Sequence, residues 1–206
     1  MKTVAVISQK GGAGKSTLAL HLAVAAENVG KPAVVVDLDP QASAASWKDL
    51  RKAPGPAVTS AQAARLPQIL STAAQHGAEF VVLDTAPHSE TAALAAARAA
   101  DLVLIPCRPA ILDLRAISNT VELAKLAGTP ARIVLNAVPP RGSLADEAKQ
   151  AVLTYGIPLA PVRIGQRASY VHALTLGQTA EEFEPDGKAA AEIRELYEWT
   201  CKQVGA

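Results

Sequence analysis

The chain has 206 residues, half of them apolar, only 3% aromatic, and a formal net charge of +1 at pH 7. That length fits one domain with a sizeable core, and the near-neutral charge excludes the strongly basic composition from which nucleic-acid binding could be read directly. No segment approaches the ~20 apolar residues of a transmembrane helix, and the first apolar run is too short for a secretory core, so the expected location is the cytoplasm.

Thr3–Ile7 opens the chain as a short apolar run, a predicted strand. Lys10-Gly11-Gly12-Ala13-Gly14-Lys15-Ser16-Thr17 follows, and a helical pattern covers Lys15–Val29. Further strands are predicted over Ala33–Asp37, Phe80–Asp84, Leu102–Pro106, Arg132–Asn136 and Leu159–Ile164, with a weaker one at Ala57–Thr59. Helical patterns lie between and after them: Ala42–Lys52, Ala61–His76, Glu90–Ala99, Leu112–Ala127, Leu144–Tyr155 and Gly187–Val204. Short strands that are apolar on both faces, alternating with helices, predict an α/β fold: one doubly wound, mainly parallel sheet covered by helices on each side. In such sheets ligands bind beyond the carboxyl ends of the strands. Abundant alanine predicts close helix packing. Cys107 and Cys201 lack metal-ligand spacing and read as structural or incidental, Cys107 at the end of an apolar run as a small buried residue.

Strand, glycine-rich turn and helix form the setting of a phosphate-binding loop. The glycines let backbone N–H groups turn in around phosphate oxygens, and the helix N-terminus adds a favourable dipole. Gly11, Gly12, Ala13, Gly14 and Thr17 belong to this cradle. Lys15 supplies a point charge for the β- and γ-phosphates, and the Ser16 hydroxyl is placed to bind Mg²⁺. The usual pattern has glycine six residues before the lysine. Gln9 stands there, and a second lysine, Lys10, stands at the front of the loop.

Asp37-Leu38-Asp39-Pro40-Gln41 closes the second predicted strand. Alternate residues of an extended segment point the same way, so Asp37 and Asp39 can face one site. An Asp-x-Asp before proline reads equally as a helix cap at a turn. Val81-Val82-Leu83-Asp84-Thr85-Ala86-Pro87 has the form of a Walker B strand, with Asp84 carried to the strand tip. Together with Lys15 and Ser16 this describes a Mg²⁺-nucleotide hydrolase, Ser16 binding the metal directly and Asp84 acting through water.

These motifs resemble those of the ParA/MinD group of deviant Walker-A ATPases. Besides the loop, the Asp37–Gln41 segment resembles their switch I and Val82–Pro87 their Walker B and switch II. Arg132-Ile133-Val134-Leu135-Asn136 resembles the strand whose terminal Asn contacts adenine. Ile105–Pro109 with Asp113-Leu114, and Arg167–Tyr170 with Ala173 and Gly177, resemble segments of small, ParF-like ParA proteins. The resemblance implies ATP and Mg²⁺ as ligands, an ATP-dependent homodimer, and slow hydrolysis awaiting a stimulating partner. It implies that Lys10 reaches across the dimer to the partner's phosphates, that Asp39 positions the attacking water, and that Asp37 supports that water or Lys15. The chain departs from the pattern at Cys107-Arg108, where an apolar-Gln pair is expected, at Ile111-Leu112, and at Pro87-His88. These departures bear on partner identity more than on phosphate chemistry.

The same resemblance implies non-specific DNA binding by the ATP dimer and nucleoid association. Candidate DNA contacts are Arg163, Arg167, Lys188 and Arg194, with Arg141 and Lys202 as further basic positions. The expected partner is a small ParB-like or adaptor protein, and the expected output is segregation or positioning of a plasmid, chromosome or other cargo. MinD-like membrane attachment is an alternative. It is disfavoured by the C-terminal helix, whose Ile193, Leu196, Tyr197 and Thr200 share a face while Glu192, Glu195 and Glu198 would repel anionic lipid. A metabolic P-loop enzyme of the dethiobiotin synthetase type would share the fold. It needs a second polar constellation for its substrate, which the sequence does not display.

Overall fold

A computed structural model describes residues 1–206, apart from the side chain of Ile111. Six parallel strands form one sheet in the order β3-β2-β4-β1-β5-β6. They are β1 (Lys2–Val6), β2 (Ala33–Asp37), β3 (Ala57–Ser60), β4 (Phe80–Asp84), β5 (Leu102–Cys107) and β6 (Ala131–Leu135). The connecting helices are α1 (Lys15–Asn28), α2 (Ser43–Leu50), α3 (Leu66–Gln75), α4 (Glu90–Ala99), α5 (Ile111–Ala116), α6 (Ser118–Ala127), α7 (Leu144–Leu153), α8 (Ala168–Thr175), α9 (Ala180–Phe183) and α10 (Lys188–Val204). The doubly wound parallel sheet expected from the sequence is the one observed.

Alternate strand residues divide the interior into two cores, as a two-residue side-chain period requires. Val4, Val6, Val35, Phe80, Val82, Leu102, Leu104 and Val134 pack on one face with α1 and α10. Ala5, Ile7, Val36, Val81, Leu83, Val103, Ile105, Ile133 and Leu135 pack on the other with α4, α6 and α7. Strands β1 and β4 are neighbours, yet the helices that follow them, α1 and α4, lie on opposite faces. The sheet therefore opens a crevice at the carboxyl ends of these two strands.

Every residue of α1 from Leu18 to Ala26 is buried, so the helix behind the glycine loop is held on all sides. Four of those nine are alanines, and small side chains let it sit close to both sheet and α10. The α10 face of Ile193, Leu196, Tyr197 and Thr200 is buried in that layer. Full burial of a side chain such as Ile193 or Leu196 is worth roughly 1.5–3 kcal/mol, so this face is not available to a lipid surface. Among the described residues no helix is long and apolar enough to cross a membrane.

Three sequence expectations are adjusted. Leu159–Ile164 is not a continuous strand. It follows β6 in two patches, bridged at Ile133–Leu159 and Val138–Gly165, with Pro161, which has no N–H to donate, between them. The Leu112–Ala127 helix is broken at Ile117 into α5 and α6. The short helices α8 and α9 are additional. α9 starts at a capping box formed by Thr179 and Glu182, and Glu182 also forks onto Arg51 at 2.8 and 2.9 Å. Arg51 donates to Gly177 O at 3.0 Å, and Trp47 Nε1 donates to Gln178 O at 3.1 Å. Helix α2 is thereby pinned to the C-terminal region at its far end.

Candidate nucleotide site

The loop after β1 is shaped by backbone conformation and by three tethers. Gly12 and Gly14 have φ of 71° and 97°, left-handed values that side chains rarely adopt. Gly14 is further constrained, because a Cβ there would lie 2.1 Å from Asn136 Nδ2. That amide, at the end of β6, donates to Ala13 O at 2.7 Å. The Gln9 N–H donates to Thr120 Oγ1 at 3.2 Å. Lys15 Nζ donates to Lys10 O at 3.2 Å and closes the loop on itself. Lys15 is buried, and burial lowers its pKa, with Asp84 and Asp39 opposing that shift. Ser16 and Thr17 are half-buried beside it.

Asp37 and Asp84 are direct partners across β2 and β4, and both are buried, but their roles in the geometry differ. Asp37 Oδ1 accepts from the Asp39 N–H at 3.0 Å and Oδ2 from the Ala44 N–H at 2.9 Å. It therefore builds the turn after β2 and caps α2. Burial still raises its pKa against those bonds. Neither oxygen of Asp84 has a hydrogen-bond partner. Burial pushes its carboxyl up to about 7; the Ser16 hydroxyl and Lys15 hold it down, and Asp37 adds to the rise. The Ser16 hydroxyl is thus close enough to favour the charged form without reaching bonding geometry. Asp39 is half-exposed, and its Oδ1 accepts from the Gln41 N–H at 2.9 Å.

Among the described residues no cluster of three or more His, Cys, Asp or Glu could hold a metal by itself. Mg²⁺ is commonly held by one or two protein oxygens, the remainder coming from water and phosphate. A hydroxyl at Ser16 beside a buried carboxylate with both oxygens free fits that demand. Such an ion would neutralise polyphosphate charge and order water at Asp84.

Two side chains at the site, Asp113 and Arg108, are not singled out by the sequence motifs as site residues. Lys10 Nζ lies 2.8 Å from Asp113 Oδ1 at the start of α5, a partner 103 positions away whose proximity no local pattern reveals. Arg108, after β5, lines a cavity of about 490 Å³ together with Gly12, Gly14, Thr17 and Asn136. Cys107 before it is buried, and its thiol is pushed up to about 12 by that burial. This suits a packing residue better than a nucleophile.

Residues 4–179 match the CobQ/CobB/MinD/ParA nucleotide binding domain. The chain belongs to that family. A maintenance of carboxysome distribution protein A from Gloeobacter kilaueensis is 36% identical over 203 residues, 93% of each chain. Solved structures agree in fold at lower identity. The septum site-determining protein MinD of Pyrococcus horikoshii, complexed with Mg-ADP, superposes with a TM-score of 0.76 at 20% identity, over 99% of this chain and 97% of that one. An ATP complex of an aspartate-to-alanine variant of Cyanothece McdA superposes with a TM-score of 0.78 at 16% identity, over 100% of this chain and 96% of that one.

In this MinD/ParA-type fold the predicted nucleotide residues Lys10 to Thr17, Asp37, Asp39, Asp84 and Asn136 gather at one end of the sheet. Of the basic residues predicted to contact DNA, Arg167 lines the cavity beside the loop, and the four are not equivalent. Arg167 is ion-paired with Glu192, which also accepts from the Gly165 N–H and the Tyr170 hydroxyl. Arg194 lies 3.6 Å from Glu181 and donates to Pro185 O. Arg163 and Lys188 are exposed and without an ion pair among the described residues, as are Arg141 and Lys202.

Proposed function

We propose that the chain is a Mg²⁺-dependent ATPase of the ParA type, slow alone, that dimerises on ATP and binds DNA without sequence preference. A small ParB-like or adaptor protein stimulates hydrolysis and releases it. The observation that carries this reading is the division of labour between the two loop lysines. Lys15 is buried with carboxylates around it, where it meets phosphate. Lys10 is part-exposed at the mouth of the loop, in a single ion pair with Asp113. A part-exposed pair of this kind is worth about 0–1 kcal/mol, so a second molecule's phosphates can displace it. The likeness to a carboxysome distribution protein supports a large protein assembly as cargo, with plasmid or chromosome as the other option. Of the basic candidates, Arg163 and Lys188 have charge to offer DNA directly. Arg167 and Arg194 would have to leave carboxylates first.

The reading is tested by retention on non-specific DNA with ATP, with ADP and without nucleotide, at low and moderate salt. ATP-dependent, salt-weakened retention is expected; equal retention in all three states would sink it. Lys10→Ala should leave ATP affinity within about two-fold while cutting hydrolysis by roughly 10³-fold, the lower range for a trans-acting cation. Normal turnover by a Lys10→Ala dimer would remove the cross-interface role. Asp39→Ala should keep the ATP dimer, seen by size-exclusion chromatography, and slow hydrolysis by about 10²-fold, as for loss of a group that works through a positioned water. Unchanged turnover would take Asp39 out of the mechanism.

A further inference from the structure

We infer that Arg108 is a polyphosphate-binding side chain of this site, acting within its own chain; the inference rests on the nucleotide reading above. Its guanidinium lies over the glycine turn, with Nη2 3.8 Å from the point where a side chain on Gly12 would begin. It forms one wall of the cavity that Gly12, Gly14, Thr17 and Asn136 complete, directly beside the helix N-terminus where backbone N–H groups and dipole favour an anion.

The surrounding charges leave Arg108 uncompensated. Arg167 on the same cavity is taken by Glu192. The nearby acid Asp113 is taken by Lys10. Arg108 itself has no ion pair among the described residues and is exposed. Its backbone is fixed. Cys107 is the last residue of β5, paired with Leu135 of β6. Cys107 O accepts from the Asn136 N–H at 2.8 Å, and Cys107 Sγ donates to Arg108 O at 3.3 Å. A planar fork of donors on a rigid strand end, facing an anion-binding turn, matches the geometry of phosphate oxygens. Lys10 and Lys15 approach the loop as point charges. Arg108 adds a third cation from the cavity side, and one that needs no second molecule.

The test is displacement of a fluorescent ATP analogue by ATP, by ADP and by inorganic tripolyphosphate, comparing wild type with Arg108→Gln and Arg108→Lys. Circular dichroism melting checks that the fold is intact. Losing a charge-assisted contact should weaken ATP, ADP and tripolyphosphate alike by about 10-fold or more, flatten the salt dependence, and be partly restored in Arg108→Lys. Unchanged ATP affinity in Arg108→Gln would overturn the inference. So would a loss for ATP and ADP without a loss for tripolyphosphate, which would place Arg108 on sugar or base. A wild type that binds no ATP analogue would instead overturn the nucleotide reading, and Arg108's role with it.

Discussion

Asp84→Asn should make the ligand-free protein more stable and the loaded protein less active. Asp84 is fully buried with both oxygens unbonded, and burial pushes its carboxyl up to about 7. A folded-state value raised above that of the unfolded chain means the charged form is disfavoured on folding. The penalty is absent below about pH 4, grows as pH rises toward 7, and is complete above it. Each unit is worth about 1.4 kcal/mol, so a neutral isostere should gain about 2–4 kcal/mol at pH 8, or roughly 5–12 °C in Tm for a chain of this size. The gain should shrink through pH 5 and vanish near pH 4. Thermal melts of wild type and variant across that range measure it, and a destabilised variant at pH 8, or a gain independent of pH, would refute it. The same change should lower Mg²⁺-dependent turnover by about 10- to 100-fold, the usual cost of losing a group that orders metal-bound water. Opposite signs for stability and turnover mark a site held in tension until a cation arrives.

The strand tips were the most legible part of the chain. An apolar run ending in Asp carries its own register, and Asp37 and Asp84 do face each other across β2 and β4. The loop was legible because backbone geometry demands its glycines. Asp37 shows where local reading stops. The Asp-x-Asp suggests a site residue or a cap, and only the fold shows both oxygens taken by the Asp39 and Ala44 N–H groups. The cap acts seven positions away, beyond the spacing of ordinary N-caps. α8 and α9 are too short to announce themselves by periodicity, although Thr179 and Glu182 have capping-box spacing. The pairs Lys10–Asp113, Arg108–Gly12 and Gly14–Asn136 join distant segments at the crevice. Nothing in any one segment encodes its neighbour there.

The Gly14–Asn136 contact yields the second large expected effect. Gly14→Ala should damage the site twice, by two separable causes. An Ala at φ of 97° carries a backbone cost of about 1–2 kcal/mol. Its Cβ would also stand 2.1 Å from Asn136 Nδ2, so the amide must swing away. That breaks its bond to the Ala13 carbonyl and leaves a buried acceptor unsatisfied, at about 1–3 kcal/mol. ATP affinity should fall by about 100-fold as the loop amides lose their common focus, since two charge-assisted contacts of this kind suffice for that factor. Asn136→Ala removes the obstruction but not the φ requirement. In the double variant the stability losses should therefore fall short of the sum by about 0.5–3 kcal/mol, the range for residues in direct contact. Urea unfolding of the two single variants and the double variant measures that coupling. Strict additivity would mean that the strand-end amide and the loop are independent. The loop would then owe its shape to glycine alone, and Asn136 would be free to serve the nucleotide without first holding the cradle.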